Sequence, residues 1–213
     1  MDEAIQKYLE AIEIFESLGA DKNIEVIAIT HHTLADAYFQ KDDVDTAIVH
    51  SMEARKLKEK CFGQYHHQTI NTYRQLAKLV LANYTNYQGV ITPQIKKSIL
   101  IAISCYERVF KYLKSRKDFG KQNVALLTLI RTLIGLKFKL FNTRQREILR
   151  SVRQSDKVYS QESVKDVILK LVHLTPVIVI DEILQKLEDN DENSINELGI
   201  IVQIAESDDI TFA

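Results

Sequence analysis

Apolar residues recur every three or four positions along most of this chain, the spacing that gathers them on one face of an α-helix. In "DEAIQKYLEAIEIFESLGAD" that face is Ile5, Tyr8, Ile12 and Phe15, with small Ala4 and Ala11 bracketing the tyrosine and Gly19 ending the run. In "HTLADAYFQKDDVDTAIVHSMEA", Leu34, Ala35 and Tyr38 mark one helix, "QKDD" turns the chain, and Ala47 and Ala54 mark the next. Small residues let antiparallel helices approach closely while large ones fill the holes opposite. The second-helix pattern Ala4, Tyr8, Ala11 returns as Ala102, Tyr106, Val109. The first-helix pattern returns as Leu76-Ala77, 42 residues after Leu34-Ala35, and again as Ile134-Gly135 with Phe138. The spacing predicts an all-α fold, an antiparallel helix-pair solenoid over residues 1–141 whose first unit lacks its first helix.

Punctuation agrees with that division. Gly19, Gly63 and Gly120 are expected to end second helices in the left-handed backbone conformation that glycine tolerates. The Asn-, Gly- and Pro-containing stretch "ANYTNYQGVITPQIKKS" predicts an insertion near 83–97. After Phe141 the small residues stop, although "TRQREILRSVRQ" keeps helical spacing through Ile148 and Val152. Further helices are expected near 163–174, near 176–187 with Thr175 as N-cap, and near 194–205 with the capping-box pattern Ser194-x-x-Glu197. Residues 142–213 are therefore read as a divergent helical cap over the array's last apolar face.

"FGQYHHQTINTYRQLA" resembles the linker and first helix of kinesin-light-chain-type tetratricopeptide repeats, roughly G-x-x-H-P-x-T followed by N-L-A. Gly63, His66, Thr69, Leu76 and Ala77 match in register; His67 replaces the proline and Gln75 the asparagine. The resemblance covers roughly residues 3–140. It implies a tetratricopeptide-like superhelix with first helices lining a concave groove, and hence a protein-binding adaptor or scaffold. By register with Leu34, the groove-facing residues are expected to be His32, Asp36 and Phe39, and on the next unit Asn71, Arg74 and Lys78. Asn, Arg and Lys one turn apart are similar to the polar groove residues by which such repeats hold peptide backbones and carboxylates.

Composition narrows the picture. Six glycines and two prolines in 213 residues suit long helices on short connections. Cys61 and Cys105 have no partner at metal-ligand spacing, and are expected to be reduced thiols of a cytoplasmic protein. No signal or membrane span is recognisable, the most apolar stretch being broken by His173, Pro176 and Asp181, so membrane insertion is not expected. The net charge of -1 hides a partition: residues 106–157 carry 14 Lys+Arg against 4 Asp+Glu, and residues 158–213 carry 3 against 12. Lys137, Lys139, Arg144, Arg146, Arg150 and Arg153 form a basic patch with three readings: pairing with the acidic stretch of Asp181, Glu182, Glu188, Asp189, Asp191 and Glu192, an acidic protein partner, or RNA. Phe138 and Phe141 fall in the core register rather than on a base-stacking platform.

Chemistry is sparse. His31-His32 and His66-His67 are adjacent pairs that point about a hundred degrees apart on a helix and lack an i, i+4 histidine, so they are read as structural rather than as metal ligands. No phosphate loop, nucleophile elbow or H-E-x-x-H motif occurs. The reading is a non-enzyme without metal or cofactor that binds a partner peptide, with an RNA-associated scaffold using the 106–157 block as the alternative. The opening helix is expected to keep one apolar flank open, for the rest of a longer array, a partner or an oligomer.

Overall fold

The computed structural model describes residues 1–85, 91–115, 123–155, 159–187 and 192–206, and every regular element among them is an α-helix. In order they are α1 Asp2–Ser17, α2 Ile24–Gln40, α3 Val44–Phe62, α4 His67–Thr85, α5 Pro93–Ser115, α6 Asn123–Lys139, α7 Thr143–Arg153, α8 Gln161–Leu174, α9 Pro176–Leu187 and α10 Glu192–Glu206. They fall into two units, Met1–Tyr112 and Leu113–Ala213. Among the described residues no helix is long and apolar enough to cross a membrane.

In the first unit α2 and α3 form the tightest pair. Asp42 turns the chain with a φ of 63°, and Asp43 caps α3 by accepting from the Thr46 amide at 3.1 Å. Ala35, Ala47 and Ala54, the close-approach positions that the spacing marked, are fully buried, and so is Ala28. Leu79 of α4 fills the hollow over Ala35 and Ala47, bordered by Tyr38 and Ile48. On the other flank α1 presses Ile5 and Ile12 against Ile27, Leu34 and Ala37, with Leu9 and Phe15 half-buried beside them. Ala4 and Tyr8, at the positions equivalent to buried Ala47 and Ser51, are exposed, as are Ile14 and Leu18. Leu34 and Leu76, and Ala35 and Ala77, are equally buried 42 residues apart.

Much of the expected insertion is helix. α4 continues to Thr85 and α5 starts at Pro93, the first helical position, where a missing N–H costs nothing. Thr92 caps α5 by accepting from the Ile95 amide at 3.3 Å. Residues 86–90 lie outside the described residues, as does Gly120, while Gly19 (φ 108°) and Gly63 (φ 82°) take the left-handed conformation.

In the second unit α10 packs against α6, α7, α8 and α9. Leu133, Ile134, Ile180, Ile183, Leu198, Ile201 and Ile204 form its core, and Phe138 and Phe141 are buried edge to face with centroids 5.2 Å apart. Asn142 and Gln145 close a capping box at the start of α7. The expected cap at Ser194 is corrected: α10 begins at Glu192, so Ser194 lies buried in its first turn. α8 likewise starts earlier than expected, capped by Ser160, whose hydroxyl accepts from the Ser163 amide. Thr175 stands between α8 and α9 as expected, its φ at 87° and its carbonyl accepting from Val179.

Candidate functional site

Two hydrogen bonds set α2 beside α4 in the same direction. His32 Nδ1 lies 3.1 Å from the Thr72 hydroxyl, and one turn further on Asp36 Oδ1 accepts from Gln75 Nε2 at 2.7 Å. The same Gln75 nitrogen donates to the His32 carbonyl at 3.0 Å, and its oxygen accepts from Ser51 of α3 at 3.1 Å. One amide thus joins three helices. Thr72 also donates to the Gln68 carbonyl at 3.2 Å, which leaves its oxygen to accept from His32 Nδ1–H and so selects the histidine tautomer. A hydroxyl beside an imidazole has the reach of a nucleophile and base. Here the hydroxyl is fully buried and its proton is spent on backbone, so the pair is structural.

Lys58 lies under this seam. It belongs to the inward stripe of α3 with Ala47, Ser51 and Ala54, is 4% exposed, and its carbonyl accepts from Thr69. Burial holds its ammonium below the usual lysine range, with Asp36 pulling the other way. Burial, and then the Lys58 charge, lowers the His32 pKa, so His32 is neutral at pH 7.

The six groove residues divide accordingly. Asn71 and Lys78 are exposed on α4 with half-buried Arg74 between them, one face at one-turn spacing. Asp36 is exposed but held by Gln75; Phe39 is 44% exposed, and Ile29 and Val26 are exposed nearer the start of α2. His32 is half-buried, its ring bonded to Thr72 across the seam. Lys58, Thr72 and Ser51 were not singled out in the sequence, and Gln75 only as a replacement for asparagine, although Ser51 and Lys58 interrupt the otherwise small, apolar stripe of α3.

A second concavity, open and of about 550 Å³, is lined by His31 of α2 and by Val49, His50, Met52, Glu53 and Arg55 of α3, among others. The Nδ1 atoms of His31 and His50 are 2.9 Å apart, so one ring donates to the other, and His50 stacks on Tyr38 at 5.2 Å. Burial lowers both pKa values, helped at His50 by the neighbouring ring and opposed at His31 by Glu53. Among the described residues no three His, Cys, Asp or Glu are placed to hold a metal ion. Nearby, Tyr73 donates to Glu59 at 2.8 Å under the Arg108 guanidinium, and Arg108 also binds Gln64. Burial, then the Glu59 carboxylate, pushes the Tyr73 phenol well above its ordinary range, and burial pushes the Cys105 thiol up to about 11, leaving it inert.

In the second unit part of the basic patch pairs internally. Lys137 meets Asp181 at 2.7 Å, and Arg153 meets Glu206, outside the acidic set first considered, at 2.7 Å. Arg146 donates to the Lys139 carbonyl at 3.4 Å, and Arg144 and Arg150 are exposed. Glu188, Asp189 and Asp191 lie outside the described residues, and Glu182 is half-buried on α9. No protein-family model matches the chain, and no curated protein matches it.

Proposed function

We propose that the first unit is a non-catalytic docking module, a helical-repeat scaffold similar to kinesin-light-chain-type tetratricopeptide repeats, which takes a peptide segment of a protein partner along the α2–α4 face. The observation that carries this reading is the juxtaposition on two parallel helices of apolar anchors and polar donors. Val26, Ile29 and Phe39 stand exposed along α2, and Asn71, Arg74 and Lys78 run along α4. Apolar anchors supply affinity and fixed donors supply orientation. The equal burial of Leu34-Ala35 and Leu76-Ala77 supports a repeated helix pair, and the parallel α2–α4 packing supports a shared face.

Selection of random peptides displayed on phage against the full chain tests this. Selected peptides should bind wild type and lose at least tenfold in affinity to the double variant Arg74→Glu, Lys78→Glu, with its far-UV circular dichroism unchanged. Peptides that bind the double variant equally well refute the site.

A second reading rests on α7, where Arg144, Arg146 and Arg150 stand exposed on eleven residues with Glu147 the only acid. Under that reading single-stranded RNA binds at moderate salt, weakens steeply as salt rises, and is lost on reversal of the three arginines.

A further inference from the structure

The second-helix pattern occurs in α1, α3 and α5, and only in α1 is it left open. Ala47, Ser51 and Ala54 of α3 are fully buried, and Ala102 and Val109 of α5 are buried as well. α3 packs on both α2 and α4, whereas α1 packs chiefly on α2. The equivalent positions of α1 meet solvent: Ala4 and Tyr8 are exposed and Ala11 is half-buried. Ile14 and Leu18 extend the apolar surface, at 56% and 65% exposure. Ala4, Tyr8, Ala11, Phe15 and Leu18 follow one another at alternating spacings of four and three residues, the seam that a helix laid alongside fills.

The charge around that seam restricts which helix can fill it. Five acids and one lysine lie between Asp2 and Ser17. Asp2 pairs with Lys41, and Glu10 pairs with Lys7 at 2.9 Å. Glu3, Glu13 and Glu16 are exposed and make no ion pair among the described residues. The last turn of α1 holds no base against the negative C-terminal end of the helix, and Glu16 adds to that charge. Two copies meeting through α1 would bring these acids together, whereas lysines or arginines on an incoming helix would relieve them.

We infer that the open face of α1 docks an amphipathic, basic-rimmed α-helix of a protein partner, which lies antiparallel to α1 with its apolar side on the Ala4–Leu18 seam. Small Ala4 and Ala11 admit a close helix, as Ala47 admits α2 and α4 within the chain. The antiparallel direction sets the partner's positive N-terminal end beside Glu13 and Glu16. Docking here is independent of the α2–α4 face.

Fluorescence anisotropy with the full chain and labelled synthetic helices of about 18 residues, five turns, tests this surface. Two peptides share one apolar face of leucine and alanine at heptad spacing and differ in carrying lysine or glutamate at the flanking positions. A third is the lysine peptide scrambled. Wild type should bind the lysine-rimmed helix at least tenfold more tightly than either of the others. The triple variant Glu3→Lys, Glu13→Lys, Glu16→Lys should transfer the preference to the glutamate-rimmed helix. Should that variant fail to fold, glutamine at the same three positions should weaken lysine-rimmed binding severalfold. The double variant Ile14→Gln, Leu18→Gln, altered only at exposed positions, should lose at least tenfold. Equal binding of the lysine- and glutamate-rimmed helices, an unaltered preference in the charge variants, or full affinity in Ile14→Gln, Leu18→Gln overturns the proposal. A free chain that sediments as a dimer, and as a monomer in Ile14→Gln, Leu18→Gln, assigns the face to a second copy instead. Arg74→Glu, Lys78→Glu should leave lysine-rimmed binding unchanged, and its loss there would move the site to the α2–α4 face.

Discussion

Ala4 and Ala47 hold the same position in the second-helix pattern and live in opposite surroundings, which makes them a matched pair of probes. Ala47 is fully buried against Ala35 and Leu79, whereas Ala4 is exposed on α1. Leucine adds three carbons. At Ala47 they enter a closed hollow, and overpacking of that size costs about 3 kcal/mol, the upper end of the range for extra methylenes in a packed core. For a chain of this length that loss lowers Tm by about 6–12 °C. At Ala4 the same carbons meet solvent, and the effect should stay within about 0.5 kcal/mol. Urea unfolding followed at 222 nm by circular dichroism measures both, with unchanged slopes indicating that stability rather than the unfolded state has changed. If Ala4→Leu is as damaging as Ala47→Leu, α1 is covered on the flank described as open, and the argument from small residues fails.

Three further outcomes follow from the geometry. His31, His32 and His50 all have pKa values lowered in the folded chain, so unfolding takes up protons: the stability they contribute is full above their unfolded value of about 6.5 and is lost as pH falls through the folded values. Urea midpoints should therefore drop between pH 7.5 and 5.5, and drop less in His50→Asn; an equal drop would remove the pair as the cause. A Cβ on Gly199 would overlap the Tyr159 ring and hydroxyl, so Gly199→Ala should cost about 1–3 kcal/mol in wild type and much less in a Tyr159→Ala background, a coupling read from a double-mutant cycle. Asn142→Ala should cost about 1 kcal/mol by opening the capping box of α7, and a thermal melt with no shift would contradict it.

Local physics was legible in the residues and long-range polar physics was not. The helices, the buried alanines, the glycine stops and the junction of α8 and α9 at Thr175 all follow from periodicity and backbone preference. Pro93 was read as a loop breaker, yet at a first helical position it starts α5. Ser194 carried a capping pattern that the helix overran by two residues. The separation into basic and acidic blocks anticipated Lys137 with Asp181. It did not anticipate Glu206 for Arg153, which depends on how α7 and α10 meet. His50 lies 19 residues from His31, and Gln75 lies 39 from Asp36, so no spacing rule within one helix connects them. Gln75 had registered only as a departure from asparagine.

That departure has a mechanical consequence. The extra methylene lets one amide hold the His32 carbonyl, Asp36 and Ser51 together, so the joint between α2 and α4 resists shear in a particular way. Slippage of α4 along α2 breaks the His32 and Asp36 bonds in a single step rather than yielding gradually, as a purely oily contact would. The spacing between α2 and α4 therefore behaves as a keyed ruler.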